Sequence, residues 1–406
     1  MSESREESVF EMEELMTGTD AVAHAVRLVD VDVFAAYPIR PYTGVMDRLA
    51  KFIANGQLDA EYIIADGEHS QFEIGKHASS VGARAFVGSS GTGWLYAMEA
   101  IGVTATDRLP VVALVGNRAL DDPGAFGVEH NDALLVRDLG WLIVWASTAQ
   151  EALDNTLIAY RVGEDPKVRM PVAVAMDGGY LTHSEHLVKV PSSKAVRRFL
   201  PPYNLGGRVL HPDNPISIAP QANEDWVMEI RRQNYEAAKR SKDVITKAYK
   251  EYEDVFNIHY DNPFIEELEV EDAESVLVGM GSASVVARSV VKEKRNEGKK
   301  VGYLKLRWYR PFPSDELRKS LKNARFVGVM DRNFAMGAPD NQAITAHDIK
   351  SALYESRNHP KVTDFIAGLG GREISKKEIR KMFEIMESGG AKSVHWIGLR
   401  EKEGTE

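Results

Sequence analysis

Two arginines in the first third of the chain follow apolar segments, and both could bind a carboxylate. Arg40 stands between two prolines in the turn 37–41, directly after the apolar run 31–36. A proline ring restricts its own backbone and that of the preceding residue, so this turn holds the arginine rigidly. Arg118 follows the apolar run 111–115. Because a guanidinium group binds a carboxylate through paired hydrogen bonds, two converging arginines would suit a small substrate with two carboxylates.

Each of these arginines also has a simpler interpretation. Arg40 could be a surface residue that pairs with a nearby carboxylate, and Arg118 could pair with an aspartate of its own loop. That loop, residues 121–127, contains glycines that could act as hinges. If the loop moves, it could present Arg118, Asp121 and Phe126 at successive steps of a reaction.

Glu68 follows the apolar run 62–65 and precedes a stretch that is compatible with a helix. A carboxylate in this position could cap that helix, or it could handle a proton on a cofactor nitrogen. The segment 89–93, Ser-Ser-Gly-Thr-Gly, could likewise cradle a phosphate or only form a tight turn. The histidines near these segments lack the spacing of metal ligands, so we predict no metal site in this chain.

The composition limits the class of protein. The chain has 406 residues, 44% of them hydrophobic, a formal net charge of −10 and a pI of about 5.7. Such an acidic chain is not expected to bind nucleic acid, and no apolar run reaches the length of a membrane helix. The absence of cysteine excludes disulfides, thiolate-ligated zinc and any iron–sulfur cluster held by this chain alone. The acid-rich start lacks the apolar core of a signal peptide, which indicates a cytoplasmic protein.

Apolar runs alternate with helix-compatible stretches over the first half of the chain. Strands that alternate with helices of this length are typical of crossover units, so the pattern predicts an α/β fold with a mostly parallel sheet. The runs lie at residues 31–36, 62–65, 85–87, 111–115, 141–146 and 172–176.

The pattern divides the chain into four segments. Residues 1–15 are an acidic tail, and residues 16–190 form the first α/β domain. Prolines then become frequent, and a long charged amphipathic helix is predicted at 224–256, so residues 191–265 are expected to form a linker arm with this helix. A second α/β domain is predicted over residues 266–406. Its strands are predicted at residues 275–280, 301–308 and 326–331.

Short motifs spread over most of the chain together resemble the α subunit of the thiamine diphosphate-dependent 2-oxoacid:ferredoxin oxidoreductases. The resemblance implies a pyrimidine-binding domain for the first α/β unit and a transketolase C-terminal-like domain for the second. The motifs lie at residues 37–41, 68–70, 82–86, 89–91, 117–120, Asp132 with 137–141, 310–313 and 331–333.

The resemblance also implies roles for individual residues and for partners. Glu68 falls on the family glutamate that contacts the aminopyrimidine ring of the cofactor, Pro38 lies beside the cofactor, and Arg118 falls on the arginine that binds the substrate carboxylate. The family holds the diphosphate and its Mg²⁺ in another subunit or domain. We therefore expect a β subunit with this site and a [4Fe-4S] cluster, a ferredoxin-domain subunit, ferredoxin as the acceptor, and a dimer of hetero-oligomers. None of the metal groups is expected on this chain.

One residue departs from the family pattern. The family usually has threonine in the proline turn where this chain has Arg40. A 2-oxoacid offers one carboxylate, so a second buried arginine would be left with an unpaired charge, which is strongly unfavourable. The pair of Arg40 and Arg118 is similar to the oxalate oxidoreductase branch, which cleaves oxalate to two CO₂ and passes two electrons to ferredoxin. In that branch Tyr37, Asp121 and Phe126 would also match active-site positions.

Two alternatives to the oxalate hypothesis stay open. The chain could belong to a pyruvate or other 2-oxoacid:ferredoxin oxidoreductase in which Arg40 is incidental. It could also be a scaffold subunit that only orients a catalytic partner. Under the oxalate hypothesis, Glu68, Arg40, Arg118 and Asp121 are catalytic, and the loop of Asp121 exchanges a positive for a negative side chain once charge has departed.

Overall fold

The computed structural model describes residues 8–121, 123–389 and 392–400. Residues 1–7 of the predicted acidic tail lie outside the described residues.

The strands are β1 Phe10–Met16, β2 Val33–Ala36, β3 Glu61–Ile64, β4 Ala85–Ser89, β5 Val112–Asn117, β6 Leu142–Ala146, β7 Val172–Asp177, β8 His186–Pro191, β9 Ile265–Leu268, β10 Ser275–Gly279, β11 Val301–Leu306, β12 Trp308–Arg310, β13 Phe326–Asp331, β14 Lys361–Ala367 and β15 Val394–Ile397. The α-helices are α1 Gly18–Leu28, α2 Thr43–Ala54, α3 Glu68–Ser80, α4 Gly91–Tyr96, α5 Met98–Thr106, α6 Asn131–Leu135, α7 Ala149–Gly163, α8 Ser193–Phe199, α9 Glu224–Phe256, α10 Ala283–Asn296, α11 Ser314–Ser320, α12 Ile344–Leu353 and α13 Lys376–Glu387.

The main sheet of the first unit has the parallel strands β6, β7, β5, β4, β2 and β3, in that order. Strands β4 to β7 are apolar and are buried along their whole length. Such continuous apolar runs are typical of a parallel sheet that helices cover on both faces. The predicted α/β class with a parallel sheet is therefore confirmed.

The second unit contains a sheet with the order β15-β14-β13-β10-β11-β9, in which β9 runs antiparallel to β11. The single strand predicted at residues 301–308 is wrong, because the chain leaves this sheet after Leu306 and β12 pairs with β6 of the main sheet. Arg307 stands at the crossing. Its backbone N–H donates to Phe264 (2.9 Å) and its carbonyl oxygen accepts from Trp145 (2.7 Å), so it bonds to both sheets. The second unit thus supplies an edge strand to the first sheet.

Strands β1 and β8 form a separate antiparallel ribbon. Part of the segment that the sequence indicated as an acidic tail, residues 10–15, therefore lies in a strand. Most of β1 is exposed, so backbone pairing with β8 holds it rather than burial of its side chains. An acid-rich composition gives little sign of a strand that is stabilised in this way.

The long helix α9 has the bounds that the sequence predicted, residues 224–256. Its buried positions recur every three or four residues, as in an amphipathic helix that packs along a domain face. These positions are Ala237, Ser241, Val244, Ile245, Ala248, Tyr249, Tyr252 and Phe256. Their contacts are with α5, α7 and α8, so α9 covers the first unit.

Candidate active site at the carboxyl edge of the main sheet

The turns that follow β2, β4 and β5 meet at one edge of the main sheet. These strands are parallel neighbours, so their carboxyl ends lie side by side, where open α/β sheets bind ligands. The turn 37–41 follows β2, the segment 90–93 follows β4, and Arg118 directly follows β5. Glu68 begins α3, the helix that follows the edge strand β3. The predicted site residues therefore come from adjoining loops of one sheet edge.

Arg118 is buried, with 6% of its surface exposed, and hydrogen bonds hold it on several sides. Its backbone N–H donates to Oδ2 of Asp132 (3.0 Å). In the guanidinium group, Nη1 donates to the carbonyl oxygen of Arg40 and Nη2 donates to Oδ2 of Asp121, both over 3.2 Å. A Cβ on Gly91 would lie only 3.0 Å from Nε of Arg118. The side chain therefore reaches from β5 to the proline turn through a space that only glycine leaves open.

The proline turn brings Arg40 to the same edge but leaves its side chain exposed. Within the described residues, this side chain has no hydrogen bond or ion pair, so no carboxylate there satisfies it. Tyr37 is half-buried and Pro38 is exposed. Pro41 is buried against β5, where a Cβ on Gly116 would lie 2.9 Å from its ring. The backbone of the turn is thus fixed, while the side chain of Arg40 is exposed.

The loop after Arg118 carries two of the predicted residues, Asp121 and Phe126. Asp121 accepts hydrogen bonds from Arg118 and from the hydroxyl of Thr92 (2.5 Å). The interpretation that Arg118 pairs with an aspartate of its own loop is therefore confirmed. Phe126 is 74% exposed, and its ring centroid lies 5.5 Å from Cζ of Arg118, within range of a cation–π interaction. An incoming carboxylate could replace this exposed partner of Arg118.

Glu68 is 7% exposed, and the described residues give its carboxylate no hydrogen bond or ion pair. The interpretation of Glu68 as a helix cap is wrong, because Gly67 occupies the cap position of α3. Gly93 approaches so closely that a Cβ there would overlap the Glu68 carboxylate and lie 2.7 Å from Oγ of Ser89. The buried hydroxyls of Ser89 and Ser90 also lack partners among the described residues. Since buried polar groups normally have partners, this cradle fits a flat polar ring supplied by a ligand.

Asp132 organises the buried side of the site and was not among the predicted site residues. Its carboxylate accepts from the backbone N–H groups of Gly91 (2.9 Å), Arg118 (3.0 Å) and Ala133 (2.8 Å), and from the Asn117 amide (2.8 Å). Burial raises the pKa of Asp132, although these hydrogen bonds oppose the shift. Apart from Ala133, the donors lie at the carboxyl ends of β4 and β5, 14 to 41 residues from Asp132, so local spacing does not reveal this role.

The second unit fixes the far end of the loop that carries Asp121. Gly127 packs directly on the backbone of Gly370, where a Cβ would not fit. Gly370 donates its N–H to Glu129 (2.8 Å), and Gly371 donates its N–H to the carbonyl oxygen of Val128 (3.1 Å). The loop therefore ends at a close contact between the two units.

A buried hydrogen-bonded contact between His130 and Asp177 lies at the same junction. Nε2 of His130 is 2.8 Å from Oδ1 of Asp177, and Ser282 of the second unit donates its hydroxyl to Asp177 (2.6 Å). Burial raises the pKa of Asp177, but the charges of His130 and Arg332 and these hydrogen bonds outweigh it and hold the pKa well below its ordinary value. Asp177 is thus a charged contact between the units.

Neither a group of metal-binding side chains nor a helix that could span a membrane occurs among the described residues. Within the described residues, no group of His, Cys, Asp and Glu side chains could hold a metal ion. No helix in that part of the chain is long and apolar enough to cross a membrane. The assignment of Mg²⁺ and iron–sulfur clusters to other subunits stays a prediction.

The fold and the site together define a class of protein, the thiamine diphosphate-dependent oxidoreductases. Residues 24–250 match the family model described as pyruvate flavodoxin/ferredoxin oxidoreductase, thiamine diphosphate-binding. Residues 273–379 match the model of the pyruvate:ferredoxin oxidoreductase core domain II. The chain belongs to the pyruvate flavodoxin/ferredoxin oxidoreductase family.

Several relatives are similar over nearly the whole chain. Pyruvate synthase subunit PorA of Methanocaldococcus jannaschii is 38% identical, over 95% of this chain and 98% of its own length. Ketoisovalerate oxidoreductase subunit VorA of Pyrococcus horikoshii is 34% identical, over 96% and 98%. The solved 2-oxoglutarate:ferredoxin oxidoreductase of Magnetococcus marinus has a TM-score of 0.71 at 18% identity, covering 92% of this chain and 65% of that chain. The predicted two-unit fold class is thereby confirmed.

The names of these relatives can be compared with the prediction that the substrate is oxalate. The resemblance to 2-oxoacid:ferredoxin oxidoreductase α subunits is confirmed. Oxalate is not among the substrates that the relatives' names give, and pyruvate and ketoisovalerate are. By similarity alone, the 2-oxoacid alternative is therefore favoured over oxalate. The roles of individual site residues stay predictions.

Proposed function

We propose that this chain is the α subunit of an oxidoreductase that cleaves oxalate to two CO₂ and passes the two released electrons to ferredoxin. One observation supports the proposal above the others. Nη1 of Arg118 donates to the backbone carbonyl of Arg40 over 3.2 Å, so the Arg118 guanidinium group lies beside the main chain that carries Arg40. A dianion of two joined carboxylates can be neutralised by two such forks.

The residues present fit thiamine diphosphate as the cofactor. Glu68 and the turn that contains Pro38 would hold the pyrimidine end, and Ser89 and Ser90 offer hydroxyls that lack other partners. When bound, the cofactor supplies a nucleophilic carbon and takes up the electron pair released on decarboxylation. Glu68 would hold a proton at a ring nitrogen of the cofactor, because a carboxylate shielded from water can exchange a proton with a nitrogen placed against it. The diphosphate, Mg²⁺ and iron–sulfur clusters belong to partner subunits in this proposal.

Arg118 and Asp121 control the charge at the substrate position. The carboxylate of Asp121 occupies Arg118 in this structure and is more than half exposed, so the loop can withdraw it when a substrate carboxylate arrives. CO₂ leaves as a neutral molecule and its electron pair would pass to the cofactor, so no carboxylate would then face Arg118, and the return of Asp121 would supply one. Tyr37 and Phe126 would flank the substrate from the two turns.

Pyruvate or another 2-oxoacid is the second candidate substrate, and the relatives' names favour it. In that case Arg118 binds the single carboxylate and Arg40 has no role in turnover. The exposed side chain of Arg40, which has no partner among the described residues, is compatible with this alternative.

Substitution of Arg40 tests which substrate is correct. The complex that co-purifies with this chain is assayed on oxalate and on pyruvate with a low-potential dye as acceptor. For Arg40→Thr we expect kcat/KM on oxalate to fall by about 10²-fold, since charge-assisted hydrogen bonds of roughly 1.5–3 kcal/mol each are lost. Lys51→Thr removes another exposed cation, from α2, and should leave the rate unchanged. Turnover of pyruvate but not oxalate by the unsubstituted complex would refute the proposal.

A further inference from the structure

A second group of arginines lies at the opposite edge of the main sheet from the candidate active site. Arg108 precedes β5 and Arg169 precedes β7, so both stand at the amino ends of parallel strands. Arg208 belongs to the extended arm after α8, and Arg240 lies on α9. We name Arg108, Arg169, Arg208 and Arg240 the arginine cluster.

Hydrogen bonds to main-chain carbonyls join the elements that carry the cluster. Arg108 donates to Val168 (2.6 Å), and Arg208 donates to Asp107 (3.2 Å). Arg240 donates through Nε to the carbonyl oxygen of Lys167 over 3.2 Å. These contacts are with neutral groups and use a fraction of the donors on each guanidinium, since arginine has five N–H donors.

No carboxylate of the described residues lies within ion-pair distance of the cluster. Within the described residues, none of its members forms an ion pair with a carboxylate. This is unexpected in a chain with 60 acidic and 50 basic residues. The buried Nε atoms of Arg108 and Arg169 also lack any hydrogen-bond partner there.

Burial and mutual repulsion both lower pKa values in the cluster. Burial, and after it the charges of Arg208, Arg240 and Arg169, lowers the pKa of Arg108 to about 10. Burial and the charge of Arg169 lower the pKa of Arg208. The carboxyl group of Asp107 attracts Arg208 but does not reach it closely enough for an ion pair. An added anion would relieve the repulsion, because it would bring an opposite charge into direct contact with the guanidinium groups.

The backbone supports the same interpretation. Arg108 and Arg169 have φ values of 57° and 45°, in the left-handed region that residues other than glycine rarely adopt. Strained backbone of this kind persists where the surrounding structure imposes it, and it is concentrated at functional sites. Here the strained backbone holds Arg108 and Arg169 in one cluster, although neither forms an ion pair with a carboxylate of the described residues.

We propose that the arginine cluster binds a phosphate-type oxyanion, either free phosphate or the phosphate group of a small molecule. Its members are half-buried or exposed, so such a ligand can reach them from solvent. Guanidinium groups present N–H donors in a planar fork that matches the oxygens of phosphate. The site is distinct from the candidate active site, because a full strand length separates the two edges of the sheet.

Isothermal titration calorimetry on the assembled complex tests this site. Inorganic phosphate and pyrophosphate are titrated separately, with chloride used to keep the ionic strength constant. We expect saturable binding of one anion per chain, with pyrophosphate binding more tightly if the natural ligand carries linked phosphates. The double substitution Arg208→Gln and Arg240→Gln should weaken binding at least about tenfold, since charge-assisted hydrogen bonds are lost.

A matched control variant distinguishes anion binding at the arginine cluster from nonspecific attraction by positive charge. Arg232→Gln removes an exposed arginine from α9 that pairs with Glu236, and it should leave the affinity unchanged. A thermal melt of each variant without phosphate checks that the chain still folds. The proposal is overturned if no saturable binding exceeds that of chloride, or if the double variant binds phosphate as tightly as the Arg232→Gln control.

Discussion

The buried and the exposed halves of the candidate active site are held in different ways. In the buried half, Asp132 accepts hydrogen bonds from several backbone N–H groups, and Arg118 and Glu68 are only 6% and 7% exposed. In the exposed half, Asp121 and Arg40 project from surface turns, and Arg40 has no partner among the described residues. Asp132 and Arg118 thus have partners within this chain, whereas the exposed Arg40 side chain and the buried Glu68 carboxylate have none among the described residues.

This difference indicates a division of labour. Groups that must keep one geometry through a reaction benefit from burial and from hydrogen bonds that fix them in advance. Groups that must admit a substrate and respond to a change of charge benefit from exposure and from partners that can be exchanged. Substitutions in the two halves should therefore differ both in size and in kind.

The largest effect is expected at Glu68, in the buried half. Glu68→Gln keeps the shape of the side chain but removes its ability to hold and release a proton, so turnover should fall by about 10²–10⁴-fold. Stability should change little, because the described residues give this carboxylate no partner. Steady-state assays of the complex, together with a thermal melt, measure both quantities.

Glu99→Gln is the control for that substitution. Glu99 is a nearby exposed carboxylate that pairs with His69 over 3.5 Å, and its loss should leave turnover within about twofold of the original, as is typical of exposed ion pairs. If Glu68→Gln were as active as this control, the buried half would have no catalytic role and the scaffold alternative would gain support.

An intermediate effect is expected at Asp132, and it concerns stability. In Asp132→Asn an amide NH₂ group would face backbone N–H donors, so two of the present bonds would lack an acceptor. Unsatisfied buried donors cost about 1–3 kcal/mol each, so the free energy of unfolding should fall by roughly 2–4 kcal/mol. Denaturant titration of the chain gives the value. Asp138→Asn, at an exposed aspartate that pairs with Arg310, should change it by less than about 1 kcal/mol; equal losses would contradict the role assigned to Asp132.

The smallest effect is expected at Phe126, in the exposed half. Phe126→Ala removes a cation–π contact with Arg118, which is worth about 0.5–1 kcal/mol at an exposed site. We expect kcat/KM to fall by about two- to fivefold with unchanged stability. Tyr354→Ala, which removes a 77% exposed aromatic ring of the second unit, serves as the control. A loss of more than about a hundredfold at Phe126 would show that the exposed half is as rigidly organised as the buried one.

Features that depend on neighbouring residues could be predicted from the sequence. The bounds of α9 and the buried strands of the main sheet follow from local periodicity and from continuous apolar runs. The proline turn, Arg118 and Glu68 were placed at one edge because they follow successive strand-like runs. Asp132 was missed since its donors come from distant strand ends, and only the folded sheet brings them together.

Other features depend on contacts between units or subunits. The break at Arg307 arises because its backbone bonds to both sheets, and no local signal in 301–308 indicates two strands. The direction of the Arg40 side chain depends on what lies across the edge of the sheet. The prolines of the turn fix the backbone of Arg40, but the local sequence does not show which group its side chain binds. The choice between oxalate and a 2-oxoacid therefore depends on Arg40.

Because strand β12 pairs with β6, a chimera cannot take one unit from a relative without changing a contact of the other unit. A chimera joined just before Glu274 would bring its donor's version of Trp308–Arg310 against the recipient's β6. A chain truncated there would instead leave β6 as an open edge, which invites pairing between chains and aggregation. Recombination and protein engineering within this family should therefore treat the short segment 307–310 as part of the first unit, although the chain reaches it only after building much of the second.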